Sequence, residues 1–117
     1  MVAKKIPIRY TTYQMRVFDL MNYYKTGKLE LNPAFQRDSV WRATDRKKLI
    51  DSMLRGYPVP ALVLYRREPP GQSVIFDVID GKQRLESIFR FTGLLRGDQF
   101  AVTIDDDERS VRLTGEL

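Results

Sequence analysis

The stretch Val78-Ile79-Asp80-Gly81-Lys82-Gln83-Arg84-Leu85 carries the most chemical potential in this sequence, because an apolar strand there runs straight into a helix. Gly81 lets the backbone bend closely, where a Cβ would block the approach of a ligand. A helix start offers unpaired N–H groups, and Lys82 and Arg84 add positive charge, so the junction suits phosphate oxygens. The same residues also read as an ordinary helix start, with Asp80 as N-cap and Gln83 as its capping-box partner. Asp80 has a third option, holding a magnesium-bound water, or it orients Arg84. A carboxylate set directly against phosphate would repel it, which favours capping or orienting.

A second group of candidates lies upstream. Asn32 to Arg42 has neither helical nor strand period, yet it holds Phe35, Gln36, Arg37, Trp41 and Arg42. Loops usually shed large aromatics, so Phe35 and Trp41 are expected to pin this one to the core. That leaves Gln36 and Arg37 for chemistry. Arg37 and Arg84 could each give bidentate, charge-assisted bonds that lysine cannot match in the same geometry. Gln36 could position water or a phosphate oxygen, or simply bond loop backbone.

Composition narrows the chemistry. The 117 residues contain no cysteine and no histidine, which excludes disulfides, thiolate metal sites, a cysteine nucleophile and the commonest general base. No metal-ligand set is expected: the acids Asp105 to Glu108 occupy consecutive positions in a hairpin tip, point in different directions and read as a solvated turn. The net charge of +5 is uneven. Residues 1–67 carry 14 Lys/Arg against 5 Asp/Glu, whereas residues 68–117 carry 6 against 10. A basic first half suits an anionic partner, a nucleotide or nucleic acid, although a solvated basic surface has the same composition. No apolar run approaches the ~18 residues of a membrane span, and Met1 to Arg9 lacks a secretion-signal core. A soluble, cytoplasmic chain is the expectation.

The elements that would position these residues follow from periodicity. Ile6 to Tyr10 reads as a short edge strand. Thr11 or Thr12 caps a first helix reaching Lys25, with Tyr13, Val17, Leu20, Met21 and Tyr24 on its core face. Lys28 to Leu31 is a strand. Thr44 caps a second helix, Asp45 to Arg55, with Leu49, Ile50, Met53 and Leu54 inward. Ala61 to Tyr65 and Val74 to Ile79 form a hairpin after the stiff Tyr57-Pro58-Val59-Pro60 turn, the second strand central in its sheet. The third helix runs from Gly81 to Thr92, with Leu85, Ile88 and Phe89 inward. Phe100 to Ile104 and Arg109 to Leu113 make a final hairpin. The sequence reads as a single domain over 1–117, of α+β class, and the short run after the last strand suggests the leading part of a longer protein.

Four motifs in order carry a family resemblance: Leu31-Asn32-Pro33-Ala34-Phe35-Gln36-Arg37; Val40-Trp41; Leu49 through Pro60, Leu-Ile-Asp-Ser-Met-Leu-Arg-Gly-Tyr-Pro-Val-Pro; and Asp80-Gly81-Lys82-Gln83-Arg84-Leu85. Together they resemble the N-terminal domain of GmrSD-type restriction endonucleases, within the wider ParB/sulfiredoxin-like nucleotide-binding superfamily, over residues 8–95. The resemblance implies a ParB/sulfiredoxin-like compact mixed sheet with about three helices. It also implies a nucleotide held between the Phe-Gln-Arg loop and the Asp-Gly-Lys-Gln-Arg helix start. In that family the domain is associated with nucleotide hydrolysis that controls cleavage of modified foreign DNA, and a separate nuclease domain often cuts. Lys82 departs from the family's commonest Asp-Gly-Gln-Gln-Arg, adding charge at the phosphate site. The sulfiredoxin cysteine is missing, which removes that chemistry. ParB-like relatives carry further metal-supporting and nucleotide-sensing residues in a later helical segment, so nucleotide binding is expected to outlast hydrolysis in this chain alone.

The expectation that results is a nucleoside-triphosphate-binding, NTPase-related regulatory domain of a DNA-defence system, with magnesium as an accompanying ion. Its assigned residues are Asp80 and Gln36 for catalysis and Arg37, Gly81, Lys82, Gln83 and Arg84 for phosphate. DNA would be reached through the longer protein or a nuclease partner. The alternative is a non-enzymatic, ParB-type DNA-binding module. A nuclease acting by itself is disfavoured by the lack of histidine and of a carboxylate cluster.

Overall fold

The computed structural model describes residues 11–32, 41–106 and 109–113. Its elements are α1 (Val17–Lys25), β1 (Leu29–Glu30), α2 (Ala43–Leu54), β2 (Val63–Arg67), β3 (Ile75–Asp80), α3 (Lys82–Phe91), β4 (Val102–Asp106) and β5 (Arg109–Leu113). This is the expected α+β class, three helices with a small mixed sheet. The strand expected at Ile6 to Tyr10 and the acidic tip at Asp107-Glu108 lie outside the described residues.

Strand β3 is central, as its apolar run implied, in a three-stranded sheet ordered β1-β3-β2. It pairs parallel with β1 through Leu29–Phe76 and Glu30–Asp77, and antiparallel with β2 through Leu64–Val78 to Arg67–Ile75. Strands β4 and β5 form a separate antiparallel pair running from Val102–Leu113 to Asp106–Arg109. One side of the central strand faces the core through Val78. On its other side the carboxylate of Asp77, buried in mid-strand, accepts from Nε of Arg67 at 2.9 and 3.0 Å. A charge so deep needs such a partner.

Helix α3 supplies the centre of the core. Leu85, Ile88 and Phe89 lie on one face at helical spacing, and Leu85 and Phe89 are completely buried with Val78. Burying a side chain of that size contributes about 1.5–3 kcal/mol. Helix α1 closes over this layer through two ring contacts, Tyr24 with Phe89 at 4.9 Å and Tyr23 with Phe76 at 5.5 Å.

Helix α1 begins at Val17, several residues later than the Thr11 or Thr12 start. Its first turn is capped by Asp19, whose carboxylate accepts from the Arg16 backbone N–H at 3.1 Å. Tyr13 consequently falls outside the helix and is 70 % exposed, not on the core face. The same device starts α2, where Asp45 accepts from the Arg42 backbone N–H at 3.0 Å, displacing the Thr44 cap. Ile50 on α2 is buried, but Leu54, at the last turn, is exposed. The strands β2, β3 and β4 each begin one or two residues later than periodicity indicated.

Candidate functional site

The β3–α3 junction is built around a left-handed glycine. Gly81 has φ of +109° and is itself the N-cap of α3. It offers no side-chain cap, so the reading of Asp80 as N-cap gives way to a different arrangement. A Cβ on Gly81 would collide with Cδ2 of Leu62 and stand 3.4 Å from an Arg84 guanidinium nitrogen. Glycine is therefore favoured first by its backbone angle, and a Cβ would in addition have to push the Leu62 side-chain tip aside.

The pairing of β2 with β3 shifts between Val63 and Leu64, so that Val63 sits opposite Asp80 while Leu64 sits opposite Val78. The extra residue on β3 breaks the in-out alternation, and Ile79 and Asp80 are both exposed in succession. Such a bulge re-aims side chains, and here it turns the Asp80 carboxylate outward. Its side chain is 68 % exposed and touches Arg84 at 3.4 Å, the orienting contact anticipated for it.

Arg84 lies almost wholly inside the protein. One guanidinium nitrogen donates to the Pro60 carbonyl and, at 3.4 Å, to that of Ala61, while another reaches Asp80. It thus ties the Tyr57–Pro60 turn to the start of α3. Lys82 and Arg90 both approach Glu86, at 4.0 and 3.1 Å, forming a largely buried polar row along one face of α3.

Gln83 completes the junction. Its Oε1 accepts from the Trp41 backbone N–H at 3.2 Å, joining the first turn of α3 to the residues that lead into α2. Gln36 and Arg37 lie outside the described residues. Of the candidates within the described residues, Asp80, Gly81, Lys82, Gln83 and Arg84 are consecutive and converge on one junction. No group of three or more metal-ligating side chains forms among the described residues. Away from the junction, sequence reading passed over Arg46 of α2, a buried arginine at i−4 from Ile50. The sole signal for it was the helical spacing that placed a cation on the inward stripe.

A small mixed α+β domain, with a bulged strand passing through a left-handed glycine into a buried helix, is what fold and junction define. The family described as GmrSD restriction endonuclease, N-terminal domain, matches residues 17–114, and the chain belongs to it. Its place is accordingly in a restriction system. No curated protein and no solved structure matches the chain. Among the described residues no helix is long and apolar enough to cross a membrane.

Proposed function

We propose that this domain binds a nucleoside triphosphate at the α2–α3 junction and thereby regulates DNA cleavage by the restriction system to which it belongs. The observation that carries this reading is the Trp41–Gln83 hydrogen bond. It joins Trp41, four residues after Arg37 in sequence, to the Asp-Gly-Lys-Gln-Arg helix start, which supports a nucleotide held between the two motifs as the resemblance implies. In this reading the start of α3 and Lys82 face phosphate oxygens, with the helix dipole contributing about 0.3–1 kcal/mol. Arg37 reaches the phosphates from the loop. Gln36 positions water or the terminal phosphate. Arg84 keeps one guanidinium nitrogen near the site while holding the Pro60 turn and orienting Asp80.

Magnesium would accompany the triphosphate. The exposed Asp80 carboxylate suits a water-mediated hold on it, since among the described residues only one of its oxygens is engaged. When bound, the ion would neutralise phosphate charge and polarise the terminal phosphoryl group. Hydrolysis is a further step, read by phosphate release from the isolated chain.

A thermal-shift screen of the four ribonucleoside triphosphates, with and without magnesium, tests the reading. A saturable rise in Tm with at least one of them is the expected outcome, and no rise with any refutes it. The competing reading, a DNA-binding module, rests on Lys47 and Lys48, exposed on α2 and in no ion pair among the described residues. It predicts duplex affinity that collapses steeply with salt and ignores nucleotide.

A further inference from the structure

Strand β2 leaves an apolar ridge uncovered where β3 passes into α3. Leu64 packs against the core, while its neighbours Val63 and Tyr65 are 49 % and 57 % exposed. The alternation of a strand puts those two side chains on one face. Ile79 joins them from β3. The register sets Val63 against Asp80 and Leu64 against Val78, so Ile79 is the extra residue of the bulge, and it is 38 % exposed. Apolar side chains gathered in water at the rim of a polar site suit the apolar part of a ligand.

The same register places Tyr65 relative to Asp80. Tyr65 pairs with Asp77, three residues before Asp80 on β3, and lies two residues beyond Val63 on β2. At a rise of ~3.4 Å per residue, that second step is about 7 Å along the strand. The ribose of a nucleotide separates base from first phosphate by a span of this order. Asp77 brings no uncompensated charge beside the ring, because Nε of Arg67 donates to both of its oxygens. Among the described residues the Tyr65 ring stacks on no other aromatic ring. An exposed ring of this kind takes a nucleobase by its π-face, and every base has one.

We propose that Tyr65 is the stacking platform for the base of the bound nucleoside triphosphate, with the ribose over Val63 and Ile79. The inference rests on the nucleotide reading and adds a base subsite to it. A base held by stacking is chosen by ring surface more than by hydrogen-bond pattern. Purines therefore bind more tightly than pyrimidines, and adenine and guanine are little distinguished.

The test is titration calorimetry of the full chain, Y65A and Y65F, with magnesium, against the four ribonucleoside triphosphates and tripolyphosphate. Tripolyphosphate carries the phosphate charge without a base. Because Tyr65 is exposed, Y65A should keep the wild-type Tm without ligand. Should it not fold, Y65L, apolar but without a ring, takes its place. The wild type should bind purine nucleotides more tightly than tripolyphosphate. Y65A should lose about tenfold in nucleotide affinity and nothing toward tripolyphosphate, and Y65F should bind as wild type. Wild-type affinity of Y65A for every nucleotide overturns the platform while the nucleotide reading stands. An equal loss toward nucleotide and tripolyphosphate overturns it too, since a base contact cannot matter to a ligand that has no base. A wild type that binds no nucleoside triphosphate overturns both.

Discussion

The backbone N–H of Trp41 donates to Oε1 of Gln83 at 3.2 Å, a bond across 42 positions that welds the entry of α2 to the start of α3. Both partners are partly buried, so the backbone donor has no equal substitute when the amide is removed. Gln83→Ala should cost about 1–3 kcal/mol, the penalty for a buried donor left unpaired, read as a lower urea midpoint at unchanged m-value. It should also weaken nucleotide binding, because Gln83 is among the residues proposed to hold phosphate. An unchanged midpoint would mean that the bond is easily replaced by water.

Gly81 should tolerate little. Alanine there must adopt φ of +109° and push aside the Leu62 side-chain tip, so Gly81→Ala should destabilise the domain by about 1–3 kcal/mol, chiefly through the backbone angle. Valine should be worse and unfold a large fraction, so a binding loss in Gly81→Val says nothing about phosphate by itself. The double variant Gly81→Ala/Leu62→Ala separates strain from crowding: recovery of part of the lost Tm identifies Leu62 as the obstacle, and no recovery assigns the cost to the backbone angle.

Arg84→Ala should lower stability by about 1.5–3 kcal/mol, since the Pro60 and Ala61 carbonyls lose a charged donor. Arg84→Lys should recover only part, because one ammonium cannot span two carbonyls and Asp80 with the same geometry. Chemical denaturation of the pair checks this. A wild-type midpoint in Arg84→Ala combined with lost nucleotide binding would return the residue to a purely ligand-facing role.

Asp19 is held below its ordinary value of 3.8, first by the Arg16 backbone N–H and then by the Arg16 guanidinium. A carboxylate whose folded pKa is depressed contributes stability that is fully present above its unfolded pKa and lost as pH falls through the folded one. Asp19→Asn should therefore be less stable than wild type near neutrality, and the difference should shrink once the pH drops below 3.8. Denaturation midpoints at neutral and acid pH measure it; a difference that persists unchanged in acid would assign the effect to something other than this charge.

The third helix and the central strand were legible because their apolar residues keep strict periods: Leu85, Ile88 and Phe89 on one helical face, and Val74 to Ile79 nearly all apolar. Helix starts were less so. Thr11, Thr12 and Thr44 are good N-cap types, but the structure uses Asp19 and Asp45, each reaching back three residues to a backbone N–H, a device in which the N-cap type matters less than the acid. The site was legible as a cluster of consecutive residues, since Asp80 to Arg84 meet at one turn. Their partners were not, because Leu62 against Gly81, Pro60 on Arg84 and Trp41 on Gln83 are tertiary contacts that no local pattern encodes. Arg46 escaped for the opposite reason: a charged residue on an apolar stripe reads locally as surface.

Titration calorimetry of the best-stabilising nucleoside triphosphate against wild type and Arg37→Ala is the most direct trial of a phosphate grip shared between the loop and α3. One saturable site should appear in the wild type, and Arg37→Ala should weaken it by about 1.5–3 kcal/mol, roughly ten- to a hundredfold, at an unaltered Tm. Heats that never saturate, or an Arg37→Ala isotherm superimposing on that of the wild type, would contradict it.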